Sequence, residues 1–280
     1  MVLNLPHGKS LNLGSPIAIM GIVNVTPDSF SDGGVFATTA AAVEHGVRLV
    51  EQGAAILDIG GESTRPGAVA VAADEELSRV IPVIAGLHGR VAAPLSIDTM
   101  KARVAAAAIE AGASIVNDVW GLQYDREMAH VVAGAGAAVV LMHNRTSIDP
   151  ELDIVADILA FLSRSIEIAL AAGIERGRLL IDPGFGFGKT KAQNLEAVRR
   201  LRELTVLGCP ILLGVSRKST FGTVTGQKVP AERMVASIAA GIVGVMNGAA
   251  ALRVHDVAEH LQAVQVVDAI EFAAPAARSS

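Results

Sequence analysis

Short apolar runs, rich in β-branched residues, recur along the chain, and each leads to a polar residue and then to an Ala-rich or amphipathic stretch. The runs begin near Ile17, Ile56, Pro94, Ser114, Ala138, Leu179, Ile211 and Ala250. Eight polar residues stand at their ends: Asn24, Asp58, Asp98, Asn117, His143, Asp182, Lys218 and Arg253. Runs that are apolar throughout suit strands covered on both faces, as in a parallel sheet. The stretches between them read as helices. In the clearest, Glu151 to Ala172, Ile154, Ile158, Leu162, Ile166 and Leu170 fall four apart with Val155 and Leu159 beside them, and Gly173 ends the stripe. Gly53-Ala54, Gly112-Ala113, Gly136-Ala137 and Gly248-Ala249 each close a helix just before a strand, and glycine is what a left-handed helix C-terminus prefers. Five residues beyond those glycines stand Asp58, Asn117, Leu141 and Arg253, three of them polar at one expected strand depth.

Eight strands alternating with helices define an α/β chain, and the expected fold is a TIM (β/α)8 barrel with a short N-terminal β-hairpin-like segment. A closed parallel barrel gathers its C-terminal strand ends on one face, so polar ends far apart in sequence become neighbours. One polar end means little, because Asp98 or Thr99 before Met100-Lys101-Ala102 could simply cap the next helix. Eight of them, mixing acids, amides and bases, read as a site. No linker or charge block divides residues 1–280, which read as one domain with its core over about 17–272 and a short flexible tail over 273–280.

Composition narrows the class. With 51% hydrophobic, 18% charged and 3% aromatic residues, the core is built from Val, Ile, Leu and Ala. A formal charge of -5 without a long basic run argues against a nucleic-acid partner. The single Cys209 excludes an internal disulfide and reads as a buried, inert thiol in a reducing cytosol, since no activating partner is apparent. Met234 to Leu252 is uncharged and approaches the length of a membrane span. Asn247-Gly248 interrupts it, so a buried helix followed by a buried strand is expected and no membrane partner. The first twenty residues lack the layout of a signal peptide, which leaves a cytoplasmic location.

Several loops carry candidate chemistry. The segment from Asn24 to Gly34, with Phe30 and Asp32 in it, is long and rich in turn formers; it fits either a lid over the barrel mouth or an ordinary surface loop. Thr64 and Arg65, in Gly60-Gly61-Glu62-Ser63-Thr64-Arg65-Pro66-Gly67, fit an anion site or a solvated loop. Asp98 and Asn117, at neighbouring strand ends, fit a hard cation such as Mg2+ or the N–H groups of a heterocycle. Asp182-Pro183-Gly184-Phe185-Gly186-Phe187-Gly188-Lys189-Thr190 nearly matches a phosphate loop, but Pro183 stands at the first required glycine and the helix is expected to begin well beyond Thr190. Asp182 is the residue of interest there. Arg217, Lys218, Arg253 and His255 converge where the seventh and eighth strands meet, the usual phosphate quarter of such barrels. Arg217 and Asp256 read as a structural ion pair. Arg253 and His255, two apart on one strand, are expected to share a face and grip one anion.

Together these segments resemble the dihydropteroate synthase family. The resemblance runs from about Ile19 to Val267 through Gly21–Gly34, Asp58–Gly67, Ser96–Thr99, Asn117-Asp118, Asp182–Lys189, Ser216–Ser219 and Arg253–Asp256. It implies condensation of 6-hydroxymethyl-7,8-dihydropterin pyrophosphate with 4-aminobenzoate, giving 7,8-dihydropteroate and pyrophosphate. It further implies that Asp182, Asn117, Lys218 and Asp98 hold the pterin, with Met142 also in the substrate site. Thr64, Arg65, Arg253 and His255 would bind the pyrophosphate, Asn24 would hold Mg2+, and Phe187, Pro66, Lys218 and Ser219 would shape the aminobenzoate pocket. Asp98, Lys218, Asp32 and Phe30 would act in catalysis, the last two by closing the lid. The partners implied are these small molecules and a second copy of the chain, as a homodimer. Thr220-Phe221-Gly222 and the loop after His143 depart from the family pattern and bear on the aminobenzoate pocket. A methyltransferase of the same pterin-binding type, or a non-catalytic pterin binder, would not need the cluster of Arg65, Arg253 and His255.

Overall fold

The structure, a computed structural model, describes residues 1–14, 16–26, 34–62 and 70–272. Eight parallel strands close into a barrel: β3 (Ala18–Asn24), β4 (Ile56–Gly60), β5 (Leu95–Asp98), β6 (Ala113–Asp118), β7 (Ala138–Met142), β8 (Leu179–Asp182), β9 (Ile211–Leu213) and β10 (Ala249–Val254). Each pairs with its sequence neighbours, and β10 returns to β3. Outside the barrel run α1 (Gly34–Glu51), α2 (Ala73–Leu87), α3 (Ala102–Glu110), α4 (Met128–Ala135), α5 (Ile154–Ala171), α6 (Lys191–Arg199), α7 (Ser219–Thr225), α8 (Met234–Met246) and α9 (Val257–Phe272). The (β/α)8 expectation is therefore met. The expected N-terminal hairpin is present as β1 (Val2–Asn4) paired antiparallel with β2 (Ser10–Asn12).

The period of two along a strand sorts the core into two layers. Ala18, Met20, Ile56, Ile115, Ala138, Val140, Leu180, Leu212 and Ala251 form the barrel interior together with Leu3, Leu5, Leu11 and Leu13, so the hairpin plugs the N-terminal end. Their neighbours Ile19, Leu57, Val116, Val139, Ile181, Leu213 and Leu252 face outward and pack under the helices. Following the inward set toward the strand C-termini leads to Asn24, Asp58, Asp98, Asn117, Met142, Asp182 and Arg253. The interior is thus apolar below and polar above.

The four helix-ending glycines behave as the sequence suggests, with φ of 99° at Gly53, 123° at Gly112, 61° at Gly136 and 102° at Gly248. Two expectations need correction. Asp58 lies in the middle of β4 rather than at its end, and Lys218 follows β9 at the start of α7. The helix within Met234–Leu252 is not buried: α8 leaves Val235 73%, Val243 46% and Met246 56% exposed. Among the described residues no single helix is long and apolar enough to cross a membrane. Cys209 is buried, and burial pushes its thiol up despite the nearby Arg176.

If the hairpin is a plug, truncating Leu11, 3% exposed, removes packing from the barrel interior. Leu11→Ala should lower stability by about 2–5 kcal/mol in chemical denaturation. An unchanged midpoint would make the hairpin an ornament on the barrel.

Candidate active site

The polar upper layer of the barrel is tied together by one guanidinium. Arg253 Nε donates to Asp58 Oδ2 at 2.6 Å and Nη2 donates to Asp98 Oδ2 at 2.7 Å, while Asn117 Nδ2 donates to Asp58 Oδ2 at 3.0 Å. Register places Asp98 level with Asn117 and sets Asp58 lower, level with Ser96. Across the mouth, Asp182 Oδ1 accepts the Gly184 N–H at 2.6 Å. Asp98, Asn117, Met142, Asp182, Lys218 and Arg253 surround a cavity of about 40 Å³. The proposed heterocycle clamp and the arginine expected at the pyrophosphate are brought together.

These carboxylates are dry, and this sets their protonation. Burial raises Asp98 to about 7, against Arg253 and with the help of Asp58 and Glu76. Burial likewise raises Asp182 to about 6, opposed by the Gly184 N–H, Lys218, Lys189 and Arg253. For Arg253 burial pulls downward, but Asp58 and Asp98 outweigh it and hold the guanidinium above its ordinary range. Among the described residues, Asp58 Oδ1 and Asp98 Oδ1 are buried without a hydrogen-bond partner. Unpaired acceptors in a dry pocket favour a ligand that brings N–H donors.

A second cavity of about 650 Å³ adjoins the first, and Val119 and Phe187 line both. Its walls include Trp120, Asn144, Arg145, Ser219 and Thr220. Lys218 Nζ lies 4.4 Å from the centroid of the Phe187 ring, at the junction of the two spaces. Asp118, next to Asn117, faces the other way. It accepts the N–H groups of Trp120 at 2.9 Å and Leu122 at 2.7 Å, and so fixes the turn that carries Val119 and Trp120. Of the two residues considered for capping the next helix, Asp98 turns to Arg253, while Thr99 Oγ1 accepts from Lys101 N at 3.2 Å and Asp125 Oδ2 from Ala102 N at 2.8 Å.

Other sequence expectations change. The strand parity that points Met142 inward points His143 outward, where it is buried against Asp157 and Lys189 and lines neither cavity. The four basic groups do converge, but two are not available as charges. Arg217, at a φ of 56°, is paired with Asp256 as expected. His255 is neutral: burial brings it to about 3, reinforced by Arg217 and Arg253, and its Nδ1 lies 2.9 Å from Ser216 Oγ. Arg253 and His255 therefore turn to different partners in place of a shared grip. The helix after the phosphate-like loop begins at Lys191, directly after Thr190, which caps α6 in a capping box with Gln193. The distance to the helix is thus no argument against a phosphate loop. Lys189 supplies a better one, because its ammonium is buried against the loop's own carbonyls.

Asn24 ends β3, half-buried and level with Gly60. Among the described residues no three His, Cys, Asp or Glu side chains are arranged to hold a metal. Phe30, Asp32, Thr64, Arg65 and Pro66 lie outside the described residues.

A parallel barrel with a dry, acceptor-rich clamp at its C-terminal mouth, opening into a wider aromatic-walled space, has the layout of a small-molecule barrel enzyme that reads a nitrogen heterocycle. Comparison with known proteins agrees. Residues 20–255 match the family described as pterin binding enzyme. The chain is 46% identical to the dihydropteroate synthase of Clostridium beijerinckii over 94% of its length and 97% of the relative's. It is 49% identical to the dihydropteroate synthase of Xanthomonas albilineans solved with 4-aminobenzoic acid, with a TM-score of 0.92 over 96% of this chain and 97% of that one. A structure of the Xanthomonas albilineans enzyme in complex with 7,8-dihydropteroate gives 47% identity and a TM-score of 0.88, covering 96% and 98% of the two chains. The chain belongs to the dihydropteroate synthase family of pterin-binding enzymes.

Between the ordinary carboxylate range and about 7, folded Asp98 holds a proton that the unfolded chain has released, so its contribution to stability falls as pH rises through that window. Carbon-13 NMR should find its carboxyl titrating near pH 7. Arg253→Met should move that midpoint higher, because the guanidinium opposes protonation; a downward move would contradict this charge arrangement.

Proposed function

We propose that this chain is a transferase that condenses 6-hydroxymethyl-7,8-dihydropterin pyrophosphate with 4-aminobenzoate, releasing pyrophosphate and 7,8-dihydropteroate in folate synthesis. The observation that carries this reading is the pair of adjoining cavities sharing Phe187, one lined with buried acceptors and one wide and partly aromatic. Asp182 takes the paired N–H groups of the aminopyrimidinone edge. Asn117 commits Nδ2 to Asp58, which leaves Oδ1 to accept from the ring. Lys218 donates to the ring carbonyl, and Asp98 lies beside the clamp with a carboxyl that can hold or release a proton near neutrality. A site of this kind rejects rings lacking the matching groups by roughly 10^4-fold or more.

The departing pyrophosphate leaves an exocyclic carbon whose positive charge spreads into the electron-rich dihydropterin. Negative carboxylates beneath the ring stabilise that charge in a pocket that excludes water. The arylamine of 4-aminobenzoate, placed against Phe187, Lys218 and Ser219, then forms the new C–N bond, and its surplus proton leaves with no strong general base required. A single amide oxygen fits Mg2+ only as a cation shared with substrate phosphates, and Asn24 is the residue we assign to it. Bound there, the ion would stabilise charge on the leaving pyrophosphate. On the pyrophosphate side Arg253 supplies the charge, exchanging its contact with Asp98 for phosphate oxygens, and the neutral His255, with Nδ1 on Ser216, adds only an N–H donor from Nε2. Roles for Thr64, Arg65, Pro66, Phe30 and Asp32 rest on the sequence resemblance.

The same reading makes the chain a cytoplasmic homodimer. Val235, Val243 and Met246 of α8 and Val266 and Ile270 of α9 are exposed apolar residues on packed neighbouring helices, a patch suited to a second copy. Sedimentation should give twice the chain mass, and Val235→Asp with Met246→Asp should give the monomer; a monomeric unaltered chain would refute the pairing.

Pyrophosphate release should require both substrates together. Release from the pterin substrate alone at the same rate would exclude the condensation. Asp182→Ala should abolish calorimetric binding of a pterin while leaving the thermal midpoint near that of the unaltered chain; retained binding would remove Asp182 from the clamp.

A further inference from the structure

Lys189 belongs to the loop that joins β8 to α6; it borders the larger cavity, but its amino group turns back onto the loop's own carbonyls. It is 6% exposed, and its Nζ meets Gly184 O at 2.8 Å, Phe187 O at 3.0 Å and His143 Nδ1 at 2.7 Å; burial lowers its ammonium to about 7 against the pull of Asp182 and Asp157, so all three donors are present below that pH. Because Nδ1 of His143 accepts, the ring's own proton sits on Nε2, which donates to Asp157 Oδ2 at 2.9 Å. Asp157 is held in turn by Arg145 Nη1 at 2.8 Å. Burial, with Lys189 adding, brings His143 down to about 4, so the imidazole stays neutral and remains an acceptor. A continuous set of bonds thus runs from α5, through the end of β7, to the carbonyls of the loop.

We propose that Lys189 is a positioning residue that locks the loop over residues 182–190, so that Asp182 and Phe187 keep their places in the two adjoining cavities. This rests on the function proposed above. Gly184 is held from both sides, its N–H on Asp182 and its carbonyl on Lys189. Phe187 donates its N–H to Gly184 O at 3.1 Å and gives its own carbonyl to Lys189, and its ring lies beneath Lys218. The loop needs such a lock. Gly184, Gly186 and Gly188 sit at φ of 67°, 90° and 57°, and a peptide this rich in glycine has little order of its own. A Cβ at Gly184 would strike the carbonyl of His143, so the loop is packed tightly on the same strand end that supplies the histidine. One ammonium therefore fixes a contact in the heterocycle clamp and a wall of the second cavity.

The test combines calorimetry with a pterin, steady-state kinetics with 4-aminobenzoate, and thermal melting. Lys189→Met should fold, while the pterin Kd and the aminobenzoate KM each rise on the order of tenfold or more, since small misplacements of binding groups carry large kinetic penalties. Asp157→Asn, which alters a partly exposed group at the far end of the bonds, should shift both constants in the same direction by less. A folded Lys189→Met chain with unchanged constants, or one that loses only its thermal midpoint, overturns the proposal. Should Lys189→Met fail to fold, Asp157→Asn decides, and unchanged constants there overturn it. Failure of the unaltered chain to release pyrophosphate would count against the condensation, and the pterin Kd of the two variants would then decide the role of Lys189.

Discussion

Burying an ionised carboxylate is costly unless it is paired or hydrogen-bonded, and the top of this barrel buries three. Asp98 and Asp182 line one cavity, Asp58 lies below it on the same inward side, and Arg253 answers Asp58 and Asp98 directly. The balance is incomplete. Asp98 and Asp182 are pushed toward neutrality, and one oxygen each of Asp58 and Asp98 has no partner among the described residues. Buried ion pairs of this kind are a weak source of stability, since apolar side chains would fill the same layer at less cost. Their retention makes physical sense as a site waiting for donors. In the proposed function, a flat heterocycle with an amino group and ring N–H groups would supply them, and a diphosphate tail would supply the anion for Arg253.

The layer exists because of strand parity. Inward positions are apolar near the hairpin plug and polar near the C-terminal ends, while outward positions stay apolar under the helices. The barrel was legible in the sequence for this reason: eight apolar runs, four positive-φ glycines at equivalent junctions and one clear amphipathic helix all carry simple periodic signals. The polar ends were legible too, and Asp98, Asn117, Met142, Asp182, Lys218 and Arg253 surround one cavity.

What escaped the sequence reading did so for definable reasons. His143 ends an apolar run like the others, but it has the opposite parity to Met142, and only strand register distinguishes the two. Asp58 was visible, yet its depth below Asp98 depends on the stagger of β4 against β5. The neutral state of His255 and the contact of Arg253 with acids follow from burial, which a motif does not record. Lys189 looked like half of a phosphate loop. The structure instead shows β7 and α5 bringing His143 and Asp157 behind it. The exposed face of α8 was hidden by its composition, because an uncharged helix reads as buried whether its cover is its own chain or another copy.

The central claim is that the clamp and the pyrophosphate side occupy adjoining parts of one barrel mouth. A crystal structure of the chain with 6-hydroxymethyl-7,8-dihydropterin pyrophosphate tests it most directly. The ring's N–H edge should lie on Asp182 and Asn117 with Lys218 at its carbonyl, and Arg253 should have left Asp98 for the phosphates. A ring seated between Trp120 and Phe187 in the larger cavity, with Asp182 untouched and Arg253 still on Asp98, would contradict it.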